Sequence, residues 1–225
     1  MHIAEGFLPP IWAILWTLLS LPFVAYGIQK LNKTTKENPE SKSLIVVSGA
    51  FIFVLSSLSI PSIVGTSSHP LGITISSVLF GPFITAVLST IVLFYQALFL
   101  GHGGLTTLGA NIFSMGIIGP FVAYWTYKWC QKLNINALIS IFIATITCNI
   151  ATYLITAIQL VTAIIYLPNA VSFIDAFMPI IIIFTTIQTS IAVVEGIITA
   201  VIFKFIIDVK SSVLIQLKVI KEVKS

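Results

Sequence analysis

Residues 71–100 read LGITISSVLFGPFITAVLSTIVLFYQALFL, an apolar run that is interrupted by Gly81-Pro82. Proline lacks a backbone donor and disfavours the helical conformation of the residue before it. We therefore expect two helical elements, 71–80 and 83–100, in place of one helix. The first element is too short to cross a membrane at about 1.5 Å per residue. Such elements occur at membrane depth only where protein surrounds them, often at a binding site.

The composition identifies the bilayer as the solvent. Of the 225 residues, 57% are hydrophobic and 8% are charged, and the mean hydropathy is +1.08. Soluble domains carry about 25% charged residues, so a soluble fold could not cover this much apolar surface. We predict an all-α, multi-pass protein of the cell membrane. The lysines lie in short loops and in the tail, which argues against nucleic acid as a partner.

The remaining apolar sequence supplies five further stretches of spanning length, against the roughly 20 residues that a spanning helix needs. With the broken pair they make seven helical elements. The last stretch exceeds a perpendicular span, so it must tilt, kink near Pro179 or project beyond the membrane. The five stretches are residues 10–29, 43–60, 107–129, 136–165 and 174–207.

The lysines orient these elements. They cluster in residues 30–42, at Lys128 and Lys132, and from Lys204 onward, and positive clusters favour the cytoplasmic side. All three clusters fall inside if the broken pair returns the chain to the side where it began. The N-terminus is then extracytoplasmic and the C-terminus cytoplasmic, and residues 61–70 form an external loop.

The chain divides into an N-terminal segment (1–9), a transmembrane helical domain (10–207) and a cytoplasmic tail (208–225). The tail alternates apolar residues with lysines, which predicts an amphipathic helix at the inner surface or against a partner. The N-terminal segment lacks the basic start of a signal peptide. We expect Met1 to remain in the mature chain, because the initiator methionine is normally trimmed only before a small residue.

The histidines of the chain are His2, His69 and His102, and this topology places all three outside. The α-amine of Met1, the next amide nitrogen and the imidazole of His2 can chelate one metal ion. One further imidazole would complete a four-nitrogen site, which suits tetragonal ions such as Ni(II) or Cu(II). His69 immediately precedes a predicted helix. His102 lies in a glycine-rich turn, where a solvated histidine is the simpler interpretation.

Polar neighbours offer support for such a site. Ser67 or Ser68 could cap the helix after His69 or set the tautomer of its ring. Asn111 and Glu195 lie in apolar helices, where a polar group needs an internal partner. Glu195 is open to three interpretations: a functional carboxylate, a neutral group bonded inside the bundle, or a pair with another subunit.

Three segments resemble the metal-binding membrane subunit (S component) of cobalt/nickel energy-coupling-factor transporters, cobalt branch. They are MHIAEGFLPP (1–10), SIPSIVGTSSHPLGITISSVLFGP (59–82) and VLFYQALFLGHGGLTTLGANIFSMGIIGPFVAY (92–124). The resemblance implies a six-helix core with an extra N-terminal helix. It also implies that the N-terminal segment inserts into the core. The metal would be held there by the amine of Met1, the backbone nitrogen and imidazole of His2, and the imidazole of His69.

The resemblance further implies a transmembrane coupling subunit, two ATPase subunits and a small accessory membrane subunit as partners. Because the sequence contains no P-loop, ATP hydrolysis would belong to those partners. The expected function is capture of Co²⁺ as a transported ligand, for an ATP-driven importer that serves cobalamin biosynthesis. The alternatives are a nickel-specific subunit of the same class, a passive channel, or a membrane metalloenzyme built on His69, His102 and Glu195.

Overall fold

The computed structural model describes residues 2–61, 66–166 and 172–220, and these ranges form seven helices and one small sheet. The prediction of an all-α membrane fold with seven helical elements is confirmed. Five of the helices (α1, α4, α5, α6 and α7) are long and apolar enough to span a membrane. The helices are α1 (Pro10–Glu37), α2 (Ser41–Ser57), α3 (Ile73–Phe80), α4 (Pro82–Phe99), α5 (Leu108–Lys132), α6 (Ala137–Ile164) and α7 (Phe173–Gln216).

The broken pair consists of α3 and α4, and the break falls at the predicted dipeptide. Gly81 has φ 85° and ψ 166°, a conformation that is essentially restricted to glycine. Pro82 begins α4, where its missing N–H would have no helical partner in any case. Every residue of α3 is buried. Protein therefore surrounds the short helix, as expected for an element that cannot span the bilayer.

The long helix α7 departs from helical backbone angles at Lys210 (φ −132°, ψ 34°), well beyond Pro179. The break thus lies beyond the predicted stretch 174–207, and the backbone angles remain helical at Pro179. The chain beyond the break buries Val213 and Leu214.

The segment after the break packs against the chain itself. The hydroxyl of Tyr127 donates to the carbonyl oxygen of Val219 at 3.3 Å, and Nζ of Lys128 donates to that of Lys218 at 3.1 Å. As far as residue 220, the tail thus covers the end of α5. Its predicted cytoplasmic location remains a prediction.

The sheet is a feature that the sequence did not indicate. Strands β1 (His2–Ile3), β2 (Ile60–Pro61) and β3 (Thr66–Ser68) are antiparallel in the order β1-β3-β2. Within the predicted external loop over residues 61–70, Pro61 and Thr66–Ser68 thus belong to strands. The external location of this segment remains a prediction. The strand arises because β3 pairs with the N-terminal segment, a distant partner that no local pattern reveals.

The backbone at Gly81 predicts a cost for any side chain there. Gly81→Ala should lower the free energy of unfolding by roughly 1–3 kcal/mol, because φ 85° with ψ 166° is strained for alanine. Space is available, since Nζ of Lys30 would lie 3.5 Å from the new Cβ. Thermal unfolding of the purified protein in detergent measures the effect.

The matched control is Gly49→Ala, inside α2, where the new Cβ would meet only Cδ2 of Leu88 at 3.6 Å. Alanine is the better helix former, so this variant should be at least as stable as the unmodified protein. Equal melting temperatures for the two variants would contradict the backbone conformation described at Gly81.

Candidate metal centre

The three histidines form one buried cluster beside the sheet. His2 lies on β1, His69 directly follows β3, and His102 lies in the loop between α4 and α5. One ligand nitrogen from each ring lies within 4.8 Å of the other two. The ring centroid of His2 is 4.4 Å from that of His69 and 4.3 Å from that of His102. His2 and His69 are fully buried, and His102 is 9% exposed.

Hydrogen bonds orient the rings. Nδ1 of His69 lies 2.8 Å from the carbonyl oxygen of Pro70. A carbonyl oxygen only accepts, so Nδ1 carries the proton and Nε2 carries the lone pair. Nδ1 of His2 lies 3.2 Å from Nε2 of His102, which also contacts Oγ of Ser67.

One nitrogen of each ring is left without a partner. Nε2 of His2, Nε2 of His69 and Nδ1 of His102 are buried and have no hydrogen-bond partner among the described residues. Buried polar atoms are normally satisfied, so three unpaired ring nitrogens in one cluster require an explanation. A ring that donates through one nitrogen and leaves the other free is the usual state of a histidine that binds a metal.

Burial also sets the charge of the cluster. It lowers the pKa of His2 and of His69 well below the usual value, and it lowers the pKa of His102 to about 4. Proximity of the rings adds to the effect, because two imidazolium charges repel each other. The rings are therefore neutral at neutral pH, which is the form that binds a metal ion.

The side chain of Asn111 anchors β1 to α5. The backbone nitrogen of Ile3 donates to Oδ1 of Asn111 at 2.8 Å, and Nδ2 of Asn111 donates to the Ile3 carbonyl oxygen at 3.1 Å. Oγ1 of Thr107 donates to the same carbonyl at 2.7 Å. Gly103 lets the loop approach, since it has φ 84° and a Cβ there would lie only 3.2 Å from Nδ2 of Asn111. Asn111 thus supports the strand that carries His2, and its side-chain hydrogen bonds go to Ile3 and Thr107.

The two serines do not cap α3, contrary to one of the two roles suggested for them. The N-cap residue is Gly72, and no side chain of the preceding segment caps the helix. Ser67 contacts His102 instead, and Oγ of Ser68 is buried without a hydrogen-bond partner in the described ranges. The backbone N–H groups of Leu71 and Gly72, just before α3, donate to Glu195 of α7, which no local signal connects to them.

Two further interpretations change. His102 is not a solvated turn histidine, because it is buried against His2 and Ser67. The cluster of His69, His102 and Glu195 that a metalloenzyme would need is not formed, since Glu195 binds backbone N–H groups and Asn149. Met1 lies outside the described residues.

Comparison with known proteins agrees with this architecture. The family model described as CbiM, cobalt uptake substrate-specific transmembrane region, matches residues 2–213. The putative cobalt transport protein CbiM 2 of Methanosarcina barkeri is 51% identical over 99% of this chain and 95% of its own. The cobalt transport protein CbiM of Acetohalobium arabaticum is 47% identical over 99% of this chain and 88% of its own.

Solved structures share the fold. A crystal structure of a transition metal transporter aligns with a TM-score of 0.84 and 27% identity over 94% of each chain. A truncated transition metal transporter aligns with a TM-score of 0.82 and 28% identity, covering 92% of this chain and 99% of its own. With a family match that extends over residues 2–213 and relatives of up to 51% identity, the chain belongs to the CbiM family of cobalt uptake transmembrane components.

Proposed function

We propose that this chain is the substrate-capture subunit of an ATP-driven energy-coupling-factor importer for cobalt. One observation carries the proposal: the N-terminal strand pairs with β3 and brings His2 against His69, and both rings are buried at that point. The names of the relatives, which are cobalt transport proteins, support cobalt as the cargo.

The proposed ligands are four nitrogens. They come from the α-amine of Met1, the backbone and ring of His2, and the ring of His69. Burial of both rings supports this set, because it lowers their pKa and keeps them in the neutral form that binds a metal ion. The affinity of a nitrogen site for a divalent ion rises from cobalt to nickel. The purified protein should therefore bind nickel at least as tightly, and a nickel-specific subunit is the second candidate.

His102 is placed outside the ligand set in this proposal. Its Nε2 lies 3.2 Å from Nδ1 of His2, the ring nitrogen that a chelate with the His2 backbone requires, and it also contacts Oγ of Ser67. The His102 ring thus encloses the proposed ion position. Outer-shell partners of this kind hold a ligand ring in position and tune its basicity.

The ion would be captured on the extracytoplasmic face and released inside when partner subunits reorient the protein. The proposed partners are a transmembrane coupling subunit, two ATPase subunits and a small accessory membrane subunit. The lysine clusters support the orientation, with the N-terminus outside and the C-terminus in the cytoplasm. In this scheme the chain itself catalyses no reaction, and the imported cobalt serves cobalamin biosynthesis.

Ligand and supporting histidines should differ in their effect on Co²⁺ affinity. We expect His102→Ala to weaken binding by about 10–100-fold, and His2→Ala or His69→Ala to weaken it further, because they remove ligand atoms. Ser68→Ala is the matched control next to His69, since its hydroxyl has no hydrogen-bond partner among the described residues. Competition with a chromogenic chelator measures the affinities. Unchanged binding by His69→Ala would contradict the site.

The α-amine can be tested separately from the side chains. Adding Gly-Ser before Met1 converts the amine into an amide, so Co²⁺ binding should be lost while the melting temperature of the metal-free protein stays the same. The same dipeptide added after Ser225 is the control and should leave binding intact. If the N-terminally extended protein binds as tightly as the control, Met1 is not a ligand.

Uptake by cells distinguishes the transport classes. Cobalt accumulation should require this chain together with the coupling and ATPase subunits, and it should disappear when the ATPases are inactivated. A passive channel predicts accumulation from this chain alone. A metalloenzyme predicts that the chain makes no difference to cobalt accumulation with or without the partners.

A further inference from the structure

The side chain of Glu195 is the only fully buried Asp, Glu or Lys side chain in the described parts of the chain. A buried carboxylate in a transmembrane helix is costly unless it is paired or fully hydrogen bonded. The ligand set of the proposed function does not use it. Its hydrogen bonds nevertheless lead directly to the loop that carries His69.

Three donors converge on this carboxylate. The backbone nitrogens of Leu71 and Gly72 donate to its two oxygens, each at 2.8 Å, and Nδ2 of Asn149 donates at 3.0 Å. The two backbone groups precede the first turn of α3, where unpaired N–H groups carry partial positive charge. A carboxylate, which only accepts, satisfies all three donors at once.

A second side chain of α7 holds the same loop. Gln188 lies seven residues before Glu195, about two turns away, and therefore on the same face of the helix. Its Nε2 donates to the carbonyl oxygen of His69 at 2.9 Å. The helix α6 supports the pair, because Tyr153 bonds the Gln188 backbone and Asn149 bonds Glu195.

These contacts determine where the His69 ring points. Its Nδ1 is bound to the carbonyl oxygen of Pro70, so the ring follows the backbone of residues 69–72. Gln188 holds that backbone at the carbonyl oxygen of His69, and Glu195 holds it at the N–H groups of Leu71 and Gly72. The unpaired Nε2 of His69 is the atom whose position depends on both.

We propose that Glu195 is a positioning residue for the metal site, and that with Gln188 it fixes the His69 backbone so that Nε2 faces the ion. The inference rests on the proposed function. It assigns to the buried carboxylate of α7 a role in metal affinity and coordination geometry, beyond its contribution to the stability of the helix bundle.

The test is Co²⁺ binding by the full-length Glu195→Gln protein. The amide keeps the shape of the side chain but turns an NH₂ group toward a backbone N–H, so the loop must shift. We expect Co²⁺ affinity to fall by about 10–100-fold, the range for outer-shell partners of a metal ligand. The visible absorption bands of bound Co²⁺ should also change, because the fourth nitrogen moves. Glu195→Asp keeps the charge and should recover part of the affinity.

Thr199→Val is the matched control. Thr199 lies one turn after Glu195 on α7, and its buried hydroxyl has no hydrogen-bond partner among the described residues. This variant alters the same helix and removes no hydrogen bond to residues 69–72. It should bind Co²⁺ with unchanged affinity and unchanged absorption bands.

A folded Glu195→Gln protein that binds like the unmodified protein would overturn the inference. So would a loss of equal size in Thr199→Val, which would assign the effect to general disturbance of α7. If Glu195→Gln does not fold, Gln188→Leu decides, since it removes the donor to His69 and must weaken binding. If the unmodified protein binds no Co²⁺, the proposed function fails and this inference falls with it. If the unmodified protein binds Co²⁺ and the Glu195 and Gln188 variants bind it equally well, this inference alone is overturned.

Discussion

The pairing of β1 with β3 is the interaction on which the rest of the candidate site depends. It sets His2 opposite Ser67, and it thereby places the His2 ring beside His69 and His102. Two residues of strand cannot hold such a position alone, because a short isolated pairing is marginal. Asn111 and Thr107 bind both backbone groups of Ile3, so α5 stabilises the strand from the other side.

The broken helix pair imposes the second constraint. Because α3 is too short to span the bilayer, the backbone that enters it lies inside the protein, where water cannot satisfy the N–H groups of Leu71 and Gly72. A carboxylate from α7 does so, and the residues that it holds directly follow His69-Pro70. The carboxylate that satisfies these backbone N–H groups therefore also helps to orient the ring of His69.

The two constraints produce a site with a consistent chemistry. The rings are neutral because they are buried, and one ligand nitrogen of each lies within 4.8 Å of the other two. The buried carboxylate of Glu195 stays outside the proposed ligand set, and the backbone N–H groups of Leu71 and Gly72 stabilise it. A cluster of neutral nitrogens favours a transition-metal ion over Mg²⁺ or Ca²⁺, which prefer oxygen ligands.

Local patterns in the sequence predicted the bilayer, the seven helices and the division at Gly81-Pro82. Hydropathy is read over a short window, and proline restricts only its own backbone and that of the residue before it. The chemistry available to a histidine at position 2 also indicated His2, and the resemblance to cobalt/nickel transporter subunits indicated His69. Only the tertiary structure decided three features: strand β1, the burial of His102, and the hydrogen bonds from Leu71 and Gly72 to Glu195. Each of these depends on a hydrogen bond or a packing contact between residues far apart in the chain. No local pattern records such a partner, and the glycine-rich turn around His102 is typical of a solvated loop until β1 covers it.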